Sequence, residues 1–115
     1  MLSLEALQQK ILSFRDARDW AQFHTPKDLA IGLSLEAGEV LEHFLWKNPK
    51  EIAEYLKTHK EEIADEMGDV LNYLLIMAND FGIDLLDAAI KKVDKNAQKY
   101  PVEKAKGRHT KYTEL

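Results

Sequence analysis

The sequence predicts an all-α protein: a helical bundle of four main helices plus one short extra helix, built to associate into oligomers. Three observations carry this. Apolar residues recur at helical spacing along the whole chain, and no alternating run of strand type interrupts them. Only five glycines and three prolines break up 115 residues. The second helix is apolar on two faces, which a small bundle satisfies most easily by burying one face against another copy. The length suits a single domain over residues 1–115.

The first helix is expected over about residues 3–18, with Leu4, Leu7, Ile11 and Phe14 on one stripe. Residues 19–25 form a connector that carries Trp20, Phe23 and His24. Thr25-Pro26 then opens a second helix reaching about Trp46, because Thr caps and Pro suits a first turn whose N–H has no partner. Its expected core stripe is Ala30, Leu33, Ala37, Val40 and Phe44, with Ile31, Leu35 and Leu45 on the second apolar face. Asn48-Pro49-Lys50-Glu51 opens a short helix to about Lys57, and Thr58-His59-Lys60-Glu61 repeats the capping-box pattern before a long helix to about Phe81. That helix carries Ile63, Met67, Val70, Leu71, Leu74, Leu75 and Ala78 as its core stripe and is stopped by Gly82. Asp84 caps the last helix, which Pro101 closes, and the basic tail 101–115 is expected to be irregular.

Composition narrows the function. A net charge of −4 leaves no dominant basic surface, which argues against nucleic acid as a partner. Residues 36–69 carry half of the 20 acidic side chains. The absence of cysteine excludes disulfides and thiolate metal sites and fits a cytoplasmic location. No apolar run approaches the roughly 18 residues of a membrane span, and no targeting segment is visible.

The acidic charge is patterned. Glu36 and Glu39 form one i, i+3 pair, and Glu66 and Asp69 form another. This spacing puts both carboxylates of a pair on one helix face. A single such pair usually belongs to a solvated face. Here both lie beside the apolar core stripe, so two packed helices would direct four carboxylates into one cleft. That concentration of charge is costly unless a cation answers it. Neither pair contains the Glu-x-x-His of di-iron bundles, so oxygen ligation points to Mg2+, with Mn2+ as a possible substitute. If the acids are merely solvated, the chain is a non-catalytic helical adaptor.

The aromatic and basic candidates have plainer readings too. Trp20 and Trp46 read first as core residues, although a tryptophan beside His24 makes a platform on which a base can stack. Tyr73 follows Asp69 by one turn on the polar stripe Glu62, Glu66, Asp69, Tyr73. Lys92 and Asn96 are i, i+4 on the last helix and can meet one ligand, or belong to a solvated surface.

Across nearly its whole length the chain resembles the all-α nucleoside triphosphate pyrophosphohydrolases, the MazG-like superfamily, and within it the dCTP pyrophosphatase branch. The matching stretches are R-D-W-A-Q-F-H-T-P (18–26), L-E-A-G-E-V-L-E-H-F-L-W-K (35–47), D-E-M-G-D-V-L-N-Y-L (65–74), K-V-D-K-N-A-Q-K-Y-P (92–101) and the ending K-Y-T-E-L (111–115). The resemblance implies that Glu36, Glu39, Glu66 and Asp69 are Mg2+ ligands at the catalytic centre. It implies that Trp20, His24, Trp46, Tyr73, Lys92 and Asn96 contact the nucleotide. It further implies a homodimer or homotetramer with a house-cleaning role, cleaving dCTP, a modified dCTP or another non-canonical nucleotide to the monophosphate and pyrophosphate. The segment between Trp46 and Glu66 departs from the family's animal enzymes, whose corresponding linker is longer and richer in glycine and proline.

Overall fold

A computed structural model describes residues 2–115, and every regular element among them is helical. The helices are α1 (Leu4–Ala17), α2 (Pro26–Glu42), α3 (Pro49–Thr58), α4 (Lys60–Phe81), α5 (Leu85–Lys99) and α6 (Val102–Ala105). Single 3-10 turns occupy Ala21–Phe23 and Tyr112–Glu114. The chain gathers into two compact units, Met1–Gly82 and Ile83–Leu115.

In the first unit, α4 is the central element and packs against both α1 and α2. Its buried residues Ile63, Leu75, Ile76 and Ala78 form the core with Leu29 of α2. Gln8 of α1 adds a polar tie, donating from its amide to the Leu75 carbonyl at 2.9 Å. Arg15, also on α1, is buried and grips Asp80 of α4 through two N–H groups at 2.8 and 3.2 Å.

Local chemistry sets most helix ends. Ser3, Thr25 and Asp84 each accept a backbone N–H three residues on, from Ala6, Asp28 and Asp87. Asn48 and Glu51 complete a reciprocal capping box at the start of α3. Gly82 ends α4 at φ 69°, a left-handed conformation that glycine takes at no steric cost.

Four expectations need correction. The second helix stops at Glu42 instead of Trp46: Phe44 and Lys47 donate three residues back, to Leu41 and Phe44, and Trp46 sits at φ 64°. The core stripe of α2 is rotated, with Leu29 buried while Ala30 and Ala37 are exposed. On α4, Met67 is exposed and Ile76 is buried. Thr58 does not cap α4, because it still belongs to α3, and its hydroxyl turns to the Tyr55 carbonyl and the His59 ring.

The second unit holds α5 and the tail. The tail is more ordered than its composition suggests. Tyr100 and Tyr112 meet edge to face at 5.9 Å, and the Lys99 ammonium lies 4.8 Å from the Tyr112 ring. The apolar residues Leu86, Ile90 and Val93 on α5 are exposed. No described helix is long and apolar enough to cross a membrane.

Candidate active site

The first unit contains a cavity of about 230 Å³ whose walls come from α1, the connector, α2 and α4. Its apolar side is Ile11, Phe14, Trp20 and Ile76, and its polar side is Arg15, His24, Glu36, Asp69, Asn72 and Tyr73. A typical pocket for a whole small molecule spans roughly 300–1,000 Å³, so this space suits one part of a larger ligand, such as a base or sugar.

The connector places the aromatic wall. Arg15 ends α1 with its carbonyl accepting from the N–H groups of both Arg18 and Trp20, which turns the chain back over the helix end. Trp20 then meets Phe14 edge to face at 5.7 Å, while the Arg18 guanidinium lies 3.6 Å from the Phe14 ring. Trp20 remains 43% exposed, so much of its surface is free for contact. His24 closes the connector with a buried Nδ1 that has no partner among the described residues.

The acidic wall comes from α2 and α4. Glu36 and Asp69 both line the cavity. Glu36 is half-buried, and its Oε2 is enclosed with no hydrogen-bond partner. Burial raises the Glu36 pKa first, and the neighbouring Glu39 carboxyl, then the charges of Asp69 and Glu66, raise it further. The quartet therefore occupies one electrostatic neighbourhood. Among the described residues, however, no three acidic or histidine side chains are grouped so that they could hold a metal ion. The enclosed, unpartnered Glu36 oxygen, whose acidic neighbours raise the carboxyl's pKa, is the kind of hard donor that a divalent cation takes.

Tyr73 stands over Gly32. A Cβ at residue 32 would come within 2.5 Å of the Tyr73 ring, so only glycine lets the ring take this place.

Of the ten residues singled out, Trp20, His24, Glu36, Asp69 and Tyr73 line the cavity. Glu39 is exposed, and Glu66 is half-buried against His43. Trp46 lies outside the cavity and is 96% exposed. Lys92 and Asn96 are exposed on α5 in the second unit, where the charge of Lys99 lowers the Lys92 pKa. Sequence reasoning missed Arg15, Asn72 and Gly32. Arg15 carried a readable signal, standing four residues after Ile11 of the α1 apolar stripe, where a charge needs a partner. Gly32 heads the stripe that continues through Glu36, Glu39 and His43.

An all-helical fold with Glu36 and Asp69 on the wall of an aromatic cavity is the arrangement whose class comparison with known proteins supplies. The model of the MazG-like family matches residues 31–115, and the chain belongs to that family. It is 40% identical to dCTP pyrophosphatase 1 of Mus musculus and 37% identical to that of Homo sapiens, with each alignment covering 98% of this chain and 68% of the relative. The crystal structure of a pyrophosphatase from Archaeoglobus fulgidus superimposes with a TM-score of 0.82 at 39% identity, covering 88% of this chain and 94% of the other.

Proposed function

We propose that this chain hydrolyses dCTP or a modified dCTP to the monophosphate and pyrophosphate, with Mg2+ held by Glu36, Glu39, Glu66 and Asp69. The coarser reading, a nucleoside triphosphate pyrophosphohydrolase, rests on family membership and on likeness to pyrophosphatases along nearly the whole chain. The observation that carries the finer one is the buried, unpartnered Oε2 of Glu36 on the wall of an aromatic cavity, beside Asp69.

Each wall has a task in this reaction. Trp20 offers a face on which a pyrimidine stacks. His24 and Asn72 supply hydrogen-bonding groups at the cavity edge, and Tyr73 packs against the sugar. A divalent cation, held by Glu36, Glu39, Glu66 and Asp69, would supply charge neutralisation for the phosphates. One carboxylate of the quartet accepts the proton of the water that attacks the α-phosphorus as pyrophosphate leaves.

Trp46 and α5 support an oligomer. A tryptophan 96% exposed at φ 64° is held in a strained backbone conformation without packing in its own chain. Ile31, Leu35, Leu41 and Leu45 around α2 in the first unit are exposed, as are Leu86, Ile90 and Val93 on α5 in the second, and exposed apolar residues of this kind are what subunit association covers. Trp46 would then contribute to the partner's nucleotide pocket. Light scattering gives the mass, and a monomer at micromolar concentration would defeat this part.

The decisive experiment is a nucleotide panel assayed with Mg2+ and with Mn2+. Release of pyrophosphate from dCTP analogues in preference to purine nucleotides is expected. Melting with Mg2+ and a non-hydrolysable dCTP analogue is the companion test, because a ligand that binds only the folded state raises the midpoint. No turnover of any nucleotide, together with an unmoved midpoint, would leave a helical adaptor as the better reading.

A further inference from the structure

His43 follows Glu39 by four residues and sits where α2 ends. Its side chain is only 12% exposed and lies between two partners. Nε2 meets Oε2 of Glu66 on α4, and Nδ1 meets the hydroxyl of Tyr55 on α3 at 2.5 Å. An ionised carboxylate can only accept, so Nε2 carries the hydrogen. In that tautomer Nδ1 presents a lone pair, and the Tyr55 hydroxyl donates to it. Tyr55 is itself fixed, stacked on the His59 ring at 3.8 Å with the planes parallel to within 1°, and with the Lys47 ammonium 4.4 Å from its ring. Only one of the two Glu66 oxygens takes part in a hydrogen bond among the described residues.

We propose that Tyr55 and His43 are positioning residues for Glu66: the relay from phenol to imidazole fixes one carboxylate oxygen and leaves the other turned toward a divalent cation. The inference rests on the cation reading above and extends it to residues outside the acidic quartet. It also gives α3 a task. Tyr55 belongs to α3, so this helix supplies the outer end of the relay. Partners that orient a ligand in this way typically change metal affinity by about 10–100-fold when removed. A histidine present only for packing would change stability without changing affinity.

The test is Mn2+ binding to the full chain without nucleotide, followed by the electron paramagnetic resonance of free Mn2+. His43→Leu is expected to weaken binding about 10–100-fold. Tyr55→Phe, which removes one neutral hydrogen bond, is expected to weaken it roughly 3–10-fold, with no further loss when added to His43→Leu. His43→Gln retains an N–H donor and should recover part of the affinity. Long-range 1H–15N correlation on wild type should show the Nε2–H tautomer. Wild-type Mn2+ affinity in His43→Leu, while Glu36→Gln abolishes binding, would overturn the relay alone. A wild-type chain that binds no Mn2+ would overturn the cation site and the relay together. If His43→Leu does not fold, Tyr55→Phe decides, and unchanged affinity in that variant overturns the relay.

Discussion

Two acidic places on α4 are treated in opposite ways. Asp80, near the C-terminal end, is gripped by the buried Arg15 guanidinium, which holds its pKa below the ordinary value, with Asn79 adding a second donor. Toward the other end, the charges of Glu66 and Asp69 reach Glu36 of α2, whose carboxyl is pushed up by burial first and then by its acidic neighbours. Both are acids at the edge of the same core. At Asp80 the chain supplies the cation itself, so the site is finished on folding. At Glu36 the neighbours that shift the carboxyl are acidic, and its enclosed Oε2 has no hydrogen-bond partner among the described residues. The first arrangement is that of a structural tie, and the second is the one proposed above to take a cation.

The sharpest way to break this contrast is to neutralise one acid in each place. Glu36→Gln or Asp69→Asn should reduce turnover at least about 100-fold, the scale expected when several kcal/mol of electrostatic stabilisation is lost. The same substitutions should leave the melting temperature equal or higher, since each removes a repelling charge. Near-normal turnover in either variant would contradict its place at the centre. Arg15→Met tests the other place. It leaves Asp80 without its partner, and because the Asp80 side chain is 25% exposed, the cost should be about 1–3 kcal/mol, below the full penalty for a deeply buried orphan charge. Chemical denaturation measures it, and a loss under about 0.5 kcal/mol would reduce the pair to an ordinary surface contact.

The contrast also has a pH signature. A carboxyl with a depressed folded pKa stabilises the fold above its unfolded value, about 3.9. That contribution is lost as pH falls through the lower folded value. Wild type should therefore exceed Asp80→Asn in stability by a constant margin at neutral pH, and the margin should close below about pH 4. A margin that persists unchanged to pH 2.5 would mean that the Arg15 interaction does not depend on the Asp80 charge.

Much of this was legible before any coordinates. The caps at Thr25, Asn48 and Asp84 and the stop at Gly82 are local patterns, and local patterns survive folding because the interactions behind them span only three or four residues. What failed depended on partners distant in sequence. The burial of Leu29 in place of Ala30 is decided by where α4 lies, and alanine's small apolar surface gives it little claim on the core. Arg15 went unassigned because its partner Asp80 is 65 residues away. His43 shares the stripe of Gly32, Glu36 and Glu39 in the sequence, but nothing local links it to Tyr55 of α3 or to Glu66.

Gly32 offers a finer test on the binding side. Ala at this position would gain about 1 kcal/mol in helix propensity but force the Tyr73 ring to move. Those effects oppose each other in stability and not in binding. Gly32→Ala should melt within a few degrees of wild type while KM for the nucleotide rises about 3–10-fold, a loss of roughly 1 kcal/mol in binding. A large destabilisation would mean that the ring is locked in place by the core, with no role specific to the pocket.

The smallest expected effect is at Trp46, where the contrast between finished and open places is tested in the backbone. At φ 64° a tryptophan bears a steric cost that glycine does not, and with 96% of its surface exposed it has little packing to lose. Trp46→Gly in the isolated chain should therefore leave stability within about 0.5 kcal/mol of wild type, because relief of strain offsets the greater freedom of the unfolded glycine. The measurement belongs at low protein concentration, where subunits are apart. Repeating it at high concentration separates the two origins of any loss: a deficit that grows with concentration assigns Trp46 to a contact between subunits, whereas one already present at low concentration assigns it to packing within its own chain.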